Sequence, residues 1–156
     1  TSKNNVADIL KQLTLQTIGH DKVNQLRHVR YFHDLNGIHE HMKKHAAILR
    51  PKFELLYKLF DQELAGTGIA EWTTPKGGYF ISFNSMEGCA KKIVQMAKEA
   101  GVVLTAAGAT YPYGKDPQDS NIRIAPSYPT VEDLAKAGEL FVLCVKLASV
   151  EKLLAE

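Results

Sequence analysis

Cysteine is scarce in this chain of 156 residues, where only Cys89 and Cys144 occur. The two are far apart in the sequence and neither has a Cys-x-x-Cys partner, so a disulfide framework or a cysteine metal site has little support. Each lies in an apolar helical pattern. We therefore expect two buried free thiols in a protein of a reducing compartment.

Excess charge of one sign and long apolar runs are also missing. The formal net charge is +2, which is too small to suggest nucleic acid binding by electrostatics alone. No stretch approaches the roughly twenty apolar residues that span a bilayer. Neither nucleic acid nor a membrane is therefore an expected partner, and we expect a cytoplasmic protein.

The N-terminus has neither a signal sequence nor an initiator Met. Thr1–Asn5 is polar and contains no apolar h-region. The missing Met suggests that the chain is cut from something longer. Internal repeats and low-complexity tracts are absent from the sequence.

The first part of the chain has helical periodicity. Its length of 156 residues fits one domain with a real core. Apolar residues recur at helical spacing over 6–13 and 23–29, with Asp21 as a start signal, and then over a long pattern from 38 to 64. Pro51 lies inside this long pattern and predicts a kink near Arg50. We expect a helical segment over 1–36 and a small domain with a connector helix over 37–156.

The rest of the chain alternates strand and helix signals. Thr130 with Asp133 is typical of a capped helix start. The long stretch from 105 to 120 predicts a functional loop. The order of elements predicts an α+β fold: a small mixed sheet of about four strands with helices packed on one side. The predicted strands are 69–73, 79–83, 102–104 and 122–125, and the predicted helices are 90–97 and 134–153.

Arg123 is the most informative candidate site residue. It stands alone in the apolar strand of the Asn121–Pro129 segment, which breaks at two prolines. A guanidinium offers a fork of donors that pairs a carboxylate with two parallel hydrogen bonds, so it predicts a small carboxylate substrate. The alternative from spacing alone is a structural arginine paired with Asp116, Asp119 or Glu87.

Two glycine segments are further candidates. Gly77-Gly78 precedes Tyr79 and Phe80 and allows either a close backbone approach to a ligand or a tight turn. Gly108, with Thr105, Thr110, Tyr111 and Tyr113 in the same loop, could line a substrate mouth. No helix follows directly, so this loop is not typical of a nucleotide phosphate cradle.

Two further patterns are weak signals of chemistry. His41 and His45 are four residues apart with Glu40 beside them, but the order differs from that of zinc proteases, and a solvated helix face is expected instead of a metal site. Lys3 lies in a polar tail with nothing apolar to lower its pKa, so we do not expect it to be catalytic.

Several of these segments also carry a family resemblance. Pro75–Phe80, Gly101–Thr105 with its Gly-containing loop, and Asn121–Ile124 occur in a set order. Together they resemble the C-terminal small domain of class I (fold type I) pyridoxal phosphate-dependent aminotransferases. Asp21–His28 and Ala107–Asp116 are similar to the bacterial aspartate aminotransferase-like subgroup called MocR-type. The resemblance covers essentially the whole chain.

The resemblance implies a function. Such enzymes move an amino group from an amino acid to a 2-oxo acid with pyridoxal phosphate as electron sink, and the complete protein would be a homodimer. By similarity Arg123 binds the substrate α-carboxylate, Tyr79 or Phe80 lines the substrate side, and Gly108 lies at its rim. Aspartate is the donor that the subgroup suggests.

The resemblance also implies what this chain lacks. The Schiff-base lysine, the aspartate on the pyridine nitrogen and most of the phosphate cradle would lie upstream of Thr1. The chain would then bind no cofactor covalently, hold no catalytic residue and be inactive alone. Two alternatives stay open: an effector-sensing aminotransferase-like domain of a transcriptional regulator, and a free-standing carboxylate-binding domain.

Overall fold

The computed structural model describes residues 2–155 and confirms the predicted α+β class. Within that range it contains five α-helices, three strands and one short 3-10 turn. The elements in chain order are α1 (Lys3–Thr17), α2 (Lys22–Phe32), α3 (Leu35–Glu63), β1 (Ala70–Trp72), β2 (Ile81–Ser85), α4 (Ala90–Glu99), the 3-10 turn (Pro112–Gly114), β3 (Asn121–Ile124) and α5 (Val131–Ala155).

The chain divides into two compact units, residues 1–45 and 46–156. In the first unit no described residue is buried, so its helices have no core of their own. The Asp21 carboxylate accepts the Asn24 N–H at 2.9 Å and begins α2, as predicted. Asp34 accepts the Gly37 N–H at 2.9 Å and begins α3. The predicted domain boundary between residues 36 and 37 stays a prediction.

The second unit contains a three-stranded antiparallel sheet in the order β1-β2-β3. The predicted fourth strand over 102–104 does not form, so the sheet is not mixed. Val102 instead belongs to the C-terminal cap of α4, because its N–H donates to the Ala97 carbonyl at 2.8 Å. Val103 is then 81% exposed, and its backbone does not join the sheet ladder.

The core lies on one face of this sheet. Ile81 and Phe83 of β2 are fully buried, whereas Ser82 and Asn84 alternate onto the other face, as period two in a strand requires. The helices cover the buried face, as predicted. Their contributions to the core are Leu56 and Phe60 from α3, Ala90, Ile93 and Ala97 from α4, and Leu134, Phe141, Val142, Cys144, Val145 and Ala148 from α5; Leu64 joins them just after the end of α3.

Other predicted local features are found in the second unit. The Thr130 hydroxyl accepts the Asp133 N–H at 3.1 Å and begins α5, as the capping pattern predicts. Cys89 and Cys144 are both buried, and neither forms a disulfide. Pro51 lies inside α3, which continues through it, and the kink at Arg50 stays a prediction.

The described residues contain no group of three or more potential metal ligands. In the first unit, His41 and His45 bond each other through their Nε2 atoms at 2.9 Å. Among the helices that the structure describes, none is long and apolar enough to cross a membrane.

Candidate functional site

Arg123 lies in the middle of β3, on the sheet face opposite the helices. Its neighbours Ile122 and Ile124 point into the core, so alternation directs Arg123 outward, where it is half-buried. Its Cα pairs with Ser82 of β2. Arg123 therefore lies on a hydrogen-bonded strand, which fixes the position of its Cα more firmly than a loop would.

The guanidinium of Arg123 has no carboxylate partner among residues 2–155. No described residue forms an ion pair with it, and its Nε is buried without a hydrogen-bond partner. A buried donor that stays unpaired costs free energy, so this group favours a partner from outside the described residues. The Tyr57 hydroxyl is also buried without a partner, and burial raises the pKa of Tyr57.

The three carboxylates that could have made Arg123 a structural residue do not contact it. Asp119 instead lies 3.9 Å from the Lys91 ammonium, and Asp116 accepts backbone N–H groups. Glu87 forms no ion pair with Arg123 either. Within the described chain the structural alternative for Arg123 is therefore not realised.

Phe80 is the aromatic residue that reaches Arg123. The guanidinium carbon lies 4.6 Å from the centroid of its ring, a cation–π geometry that orients the planar fork. Phe80 comes just before β2 and shares the face of Ser82. Tyr79 is offset by one residue and half-exposed, and no described contact joins it to Arg123. Gly78 has a φ of +93°, which a turn before the strand requires.

Gly108 has a structural reason to be glycine. Its φ is +79°, and a Cβ built there would lie 2.5 Å from the carbonyl oxygen of Gly114. The loop thus folds against itself at a point where no side chain fits. Gly108 is buried, and its predicted place at the rim of a substrate site stays a prediction.

Sequence reasoning missed a polar network around Asn121. Its amide nitrogen donates to the Ser82 hydroxyl at 2.9 Å and to the Asn84 side chain at 2.7 Å. Its amide oxygen accepts from the Thr110 hydroxyl at 2.6 Å. The available signal was spacing, because residues 121 and 123 share one strand face. The partners across the sheet depend on a register that spacing does not reveal.

Asp116 organises the chain entering β3. Its carboxylate accepts the N–H groups of Ser120 and Asn121, each at 2.8 Å, and that of Gln118 at 3.0 Å. Burial of the carboxyl acts to raise its pKa, but backbone donors, including Asp119, outweigh this and hold the pKa of Asp116 below its ordinary value. The charged carboxylate therefore stabilises the folded loop.

Replacing Asp116 with Asn should lower the free energy of unfolding by about 1–2 kcal/mol at pH 7, because backbone donors lose a charged acceptor. The folded-state pKa is depressed, so the stabilisation is present above the ordinary carboxyl pKa of about 4 and is lost as the pH falls through the folded value. Urea unfolding should show a larger wild-type advantage at pH 7 than at pH 3. Asp61→Asn, an exposed change on α3, is the control. An equal loss at both pH values would contradict the assignment.

The described residues do not form a pyridoxal phosphate bed. A lysine that holds this cofactor needs a desolvated amine, yet no lysine within 2–155 is buried. Lys52 donates to the Ser127 carbonyl, Lys146 pairs with Glu63, and Lys152 donates to the Glu87 carbonyl. No chemical step of that cofactor is assigned to these residues.

An open depression of about 320 Å³ lies beside the polar network, not at Arg123. It is bounded by β1, by the end of β2 and by the long loop, including Glu71, Asn84, Tyr111 and Gln118. Arg123 does not line this depression. A closed substrate site around Arg123 would therefore need a wall from outside the described residues.

Comparison with known proteins places this geometry in a family. The model of the family described as aspartate amino-transferase matches residues 1–156. An aspartate aminotransferase of Corynebacterium glutamicum is 48% identical over 137 residues, which are 88% of this chain and 32% of that relative. The chain thus spans about a third of the length of this relative.

Solved structures agree with the family match. The crystal structure of an aspartate transaminase from Corynebacterium glutamicum superposes with a TM-score of 0.91 at 45% identity, covering 97% of this chain and 36% of the other. The α-aminoadipate aminotransferase of Thermus thermophilus gives a TM-score of 0.76 at 16% identity, over 96% of this chain and 37% of that one. The second likeness concerns the fold alone.

Proposed function

Since this chain belongs to the aspartate amino-transferase family, we propose that it is the C-terminal part of a pyridoxal phosphate-dependent aminotransferase. The complete protein would transfer an amino group from an amino acid to a 2-oxo acid. The share of about a third of the relatives' length supports a longer protein. In this proposal the cofactor lysine lies in the part of the protein that precedes these residues.

One observation carries the role of Arg123: an outward-facing strand arginine whose buried Nε has no partner and which no described carboxylate neutralises. A substrate α-carboxylate supplies two acceptor oxygens in the geometry of the guanidinium fork. The Phe80 ring packs against the guanidinium carbon of Arg123 and so limits the rotation of the guanidinium. In this proposal Arg123 binds and orients substrate, while proton and amino-group transfer take place on groups from the preceding part of the protein.

The finer parts of the proposal rest on resemblance. Aspartate is the proposed donor, in agreement with the name of the Corynebacterium glutamicum relative, and the MocR-type subgroup is the proposed placement within the family. A homodimer in the cytoplasm is the proposed assembly of the complete protein. Residues 1–156 alone should be inactive. No observation favours the transcriptional-regulator alternative.

A panel of amino donors tests the proposed reaction. The complete protein, purified with pyridoxal phosphate, should convert aspartate to its 2-oxo acid when a second 2-oxo acid is supplied as acceptor. We expect aspartate to be used at least about tenfold better than leucine or alanine, because charged-group recognition contributes more than one tenfold step. The 156-residue chain under the same conditions is the control and should show no turnover. Failure of every donor with the complete protein would refute the proposal.

A further inference from the structure

The side chain of Asn121 joins three parts of the second unit. It bonds Ser82 and Asn84 of β2 and Thr110 of the long loop, and it is only 7% exposed. Such an amide uses both donors and its acceptor at once, so a substitution would leave several polar groups unpaired. This places Asn121 on the sheet face opposite the helices, two residues from Arg123.

The long loop is attached in two different ways. Its second half, residues 116–120, is fixed to the body by backbone bonds: Ser120, Gln118 and Asp119 carbonyls accept the N–H groups of Ser85, Gly88 and Ala90. Its first half, residues 105–115, here called the 105–115 loop, bonds mainly within itself. Between described residues, the hydrogen bond that ties the 105–115 loop to the sheet runs from Thr110 to Asn121.

From these contacts we propose that Asn121 is a positioning residue that holds the 105–115 loop beside Arg123 and thereby helps to bind the substrate. The proposal rests on the proposed function. Residues 121 and 123 point to the same face about 7 Å apart, which is about the length of a small amino acid. A loop held at Asn121 would therefore border a carboxylate bound at Arg123.

The composition of the loop fits this role. It carries Tyr111 and Tyr113, of which Tyr113 is 97% exposed at a φ of +57°. Exposed phenol rings add contact area with few rotatable bonds, so they suit a loop that meets a ligand. Releasing the loop should weaken substrate binding while leaving the chemistry of a bound substrate unchanged.

Thr110→Val in the complete protein tests the proposal, because it removes the hydroxyl and keeps the shape. We expect KM for the amino donor to rise about two- to tenfold, the effect of one neutral hydrogen bond, with kcat within about twofold. Chymotrypsin should cleave after Tyr113 about two- to tenfold faster, since Pro112 blocks cleavage after Tyr111 and a freed loop is more accessible. The unfolding midpoint should fall only slightly, because a single neutral hydrogen bond is lost.

Thr17→Val is the matched control, because Thr17 is an exposed residue of α1 outside the loop and no described hydrogen bond involves its side chain. It should change neither KM nor cleavage. Faster cleavage of Thr110→Val with an unchanged KM would show that the loop is held there but does not serve substrate binding, which overturns the proposal. Unchanged cleavage would overturn it as well. If the complete protein has no aminotransferase activity, the proposed function fails, and the cleavage result still decides whether Asn121 holds the loop.

Discussion

Arg123→Gln in the complete protein should lower kcat/KM for the amino donor by about 10²- to 10⁴-fold. Two charge-assisted hydrogen bonds to a carboxylate contribute about 3–6 kcal/mol together, and each 1.4 kcal/mol is tenfold. Glutamine has similar length but offers neither the charge nor the fork. Steady-state kinetics over a range of donor concentrations give the measurement, with KM carrying most of the change.

The Arg123→Gln variant should fold with nearly the stability of the wild type. Wild-type Arg123 has a buried Nε without a partner, so its loss removes an unfavourable group along with the contact to Phe80. We expect the free energy of unfolding to change by no more than about 0.5 kcal/mol. Arg123→Lys keeps the charge without the bidentate geometry and should lie between wild type and Arg123→Gln. Equal KM and kcat/KM in wild type and Arg123→Gln would rule out the carboxylate-binding role.

The faces of the sheet are largely predictable from sequence. Alternation in β2 places Ile81 and Phe83 in the core and Ser82 on the other face, and the structure agrees. The helix starts at Asp21 and Thr130 follow from side chains that accept backbone N–H groups nearby. These features are local, so a single sequence contains the information they need.

Features that depend on distant partners are not predictable in this way. Val102 and its neighbours have the composition of a strand, yet the Val102 N–H closes the end of α4. Asp116 is close enough to Arg123 in sequence to pair with it, but backbone donors occupy its carboxylate. The Asn121 network needs the pairing of Asn84 with Asn121 and the path of a long loop. Each depends on tertiary geometry that propensity does not contain.

Substitutions of Phe83 and Phe80 in the β2 region should affect different properties: stability for Phe83 and substrate binding for Phe80. Phe83 is fully buried, and its ring centroid lies 4.9 Å from that of Phe141 and 5.4 Å from that of Phe60. Phe83→Ala should therefore lower the free energy of unfolding by about 3–5 kcal/mol, as large-to-small changes in packed cores do. Urea unfolding of the purified protein measures this loss from the midpoint at a constant slope.

Phe80→Ala is the matched control, because it makes the same chemical change three residues earlier on the opposite face. Phe80 is 47% exposed, so its removal should cost about 1 kcal/mol or less. Its effect should be on substrate binding instead: losing a cation–π contact of about 0.5–1 kcal/mol with Arg123 should raise KM about two- to fivefold. A stability loss for Phe80→Ala as large as that for Phe83→Ala would mean that the two faces are wrongly assigned. If the difference is found, one face of β2 and β3 holds the fold together while the other is left free to bind a ligand.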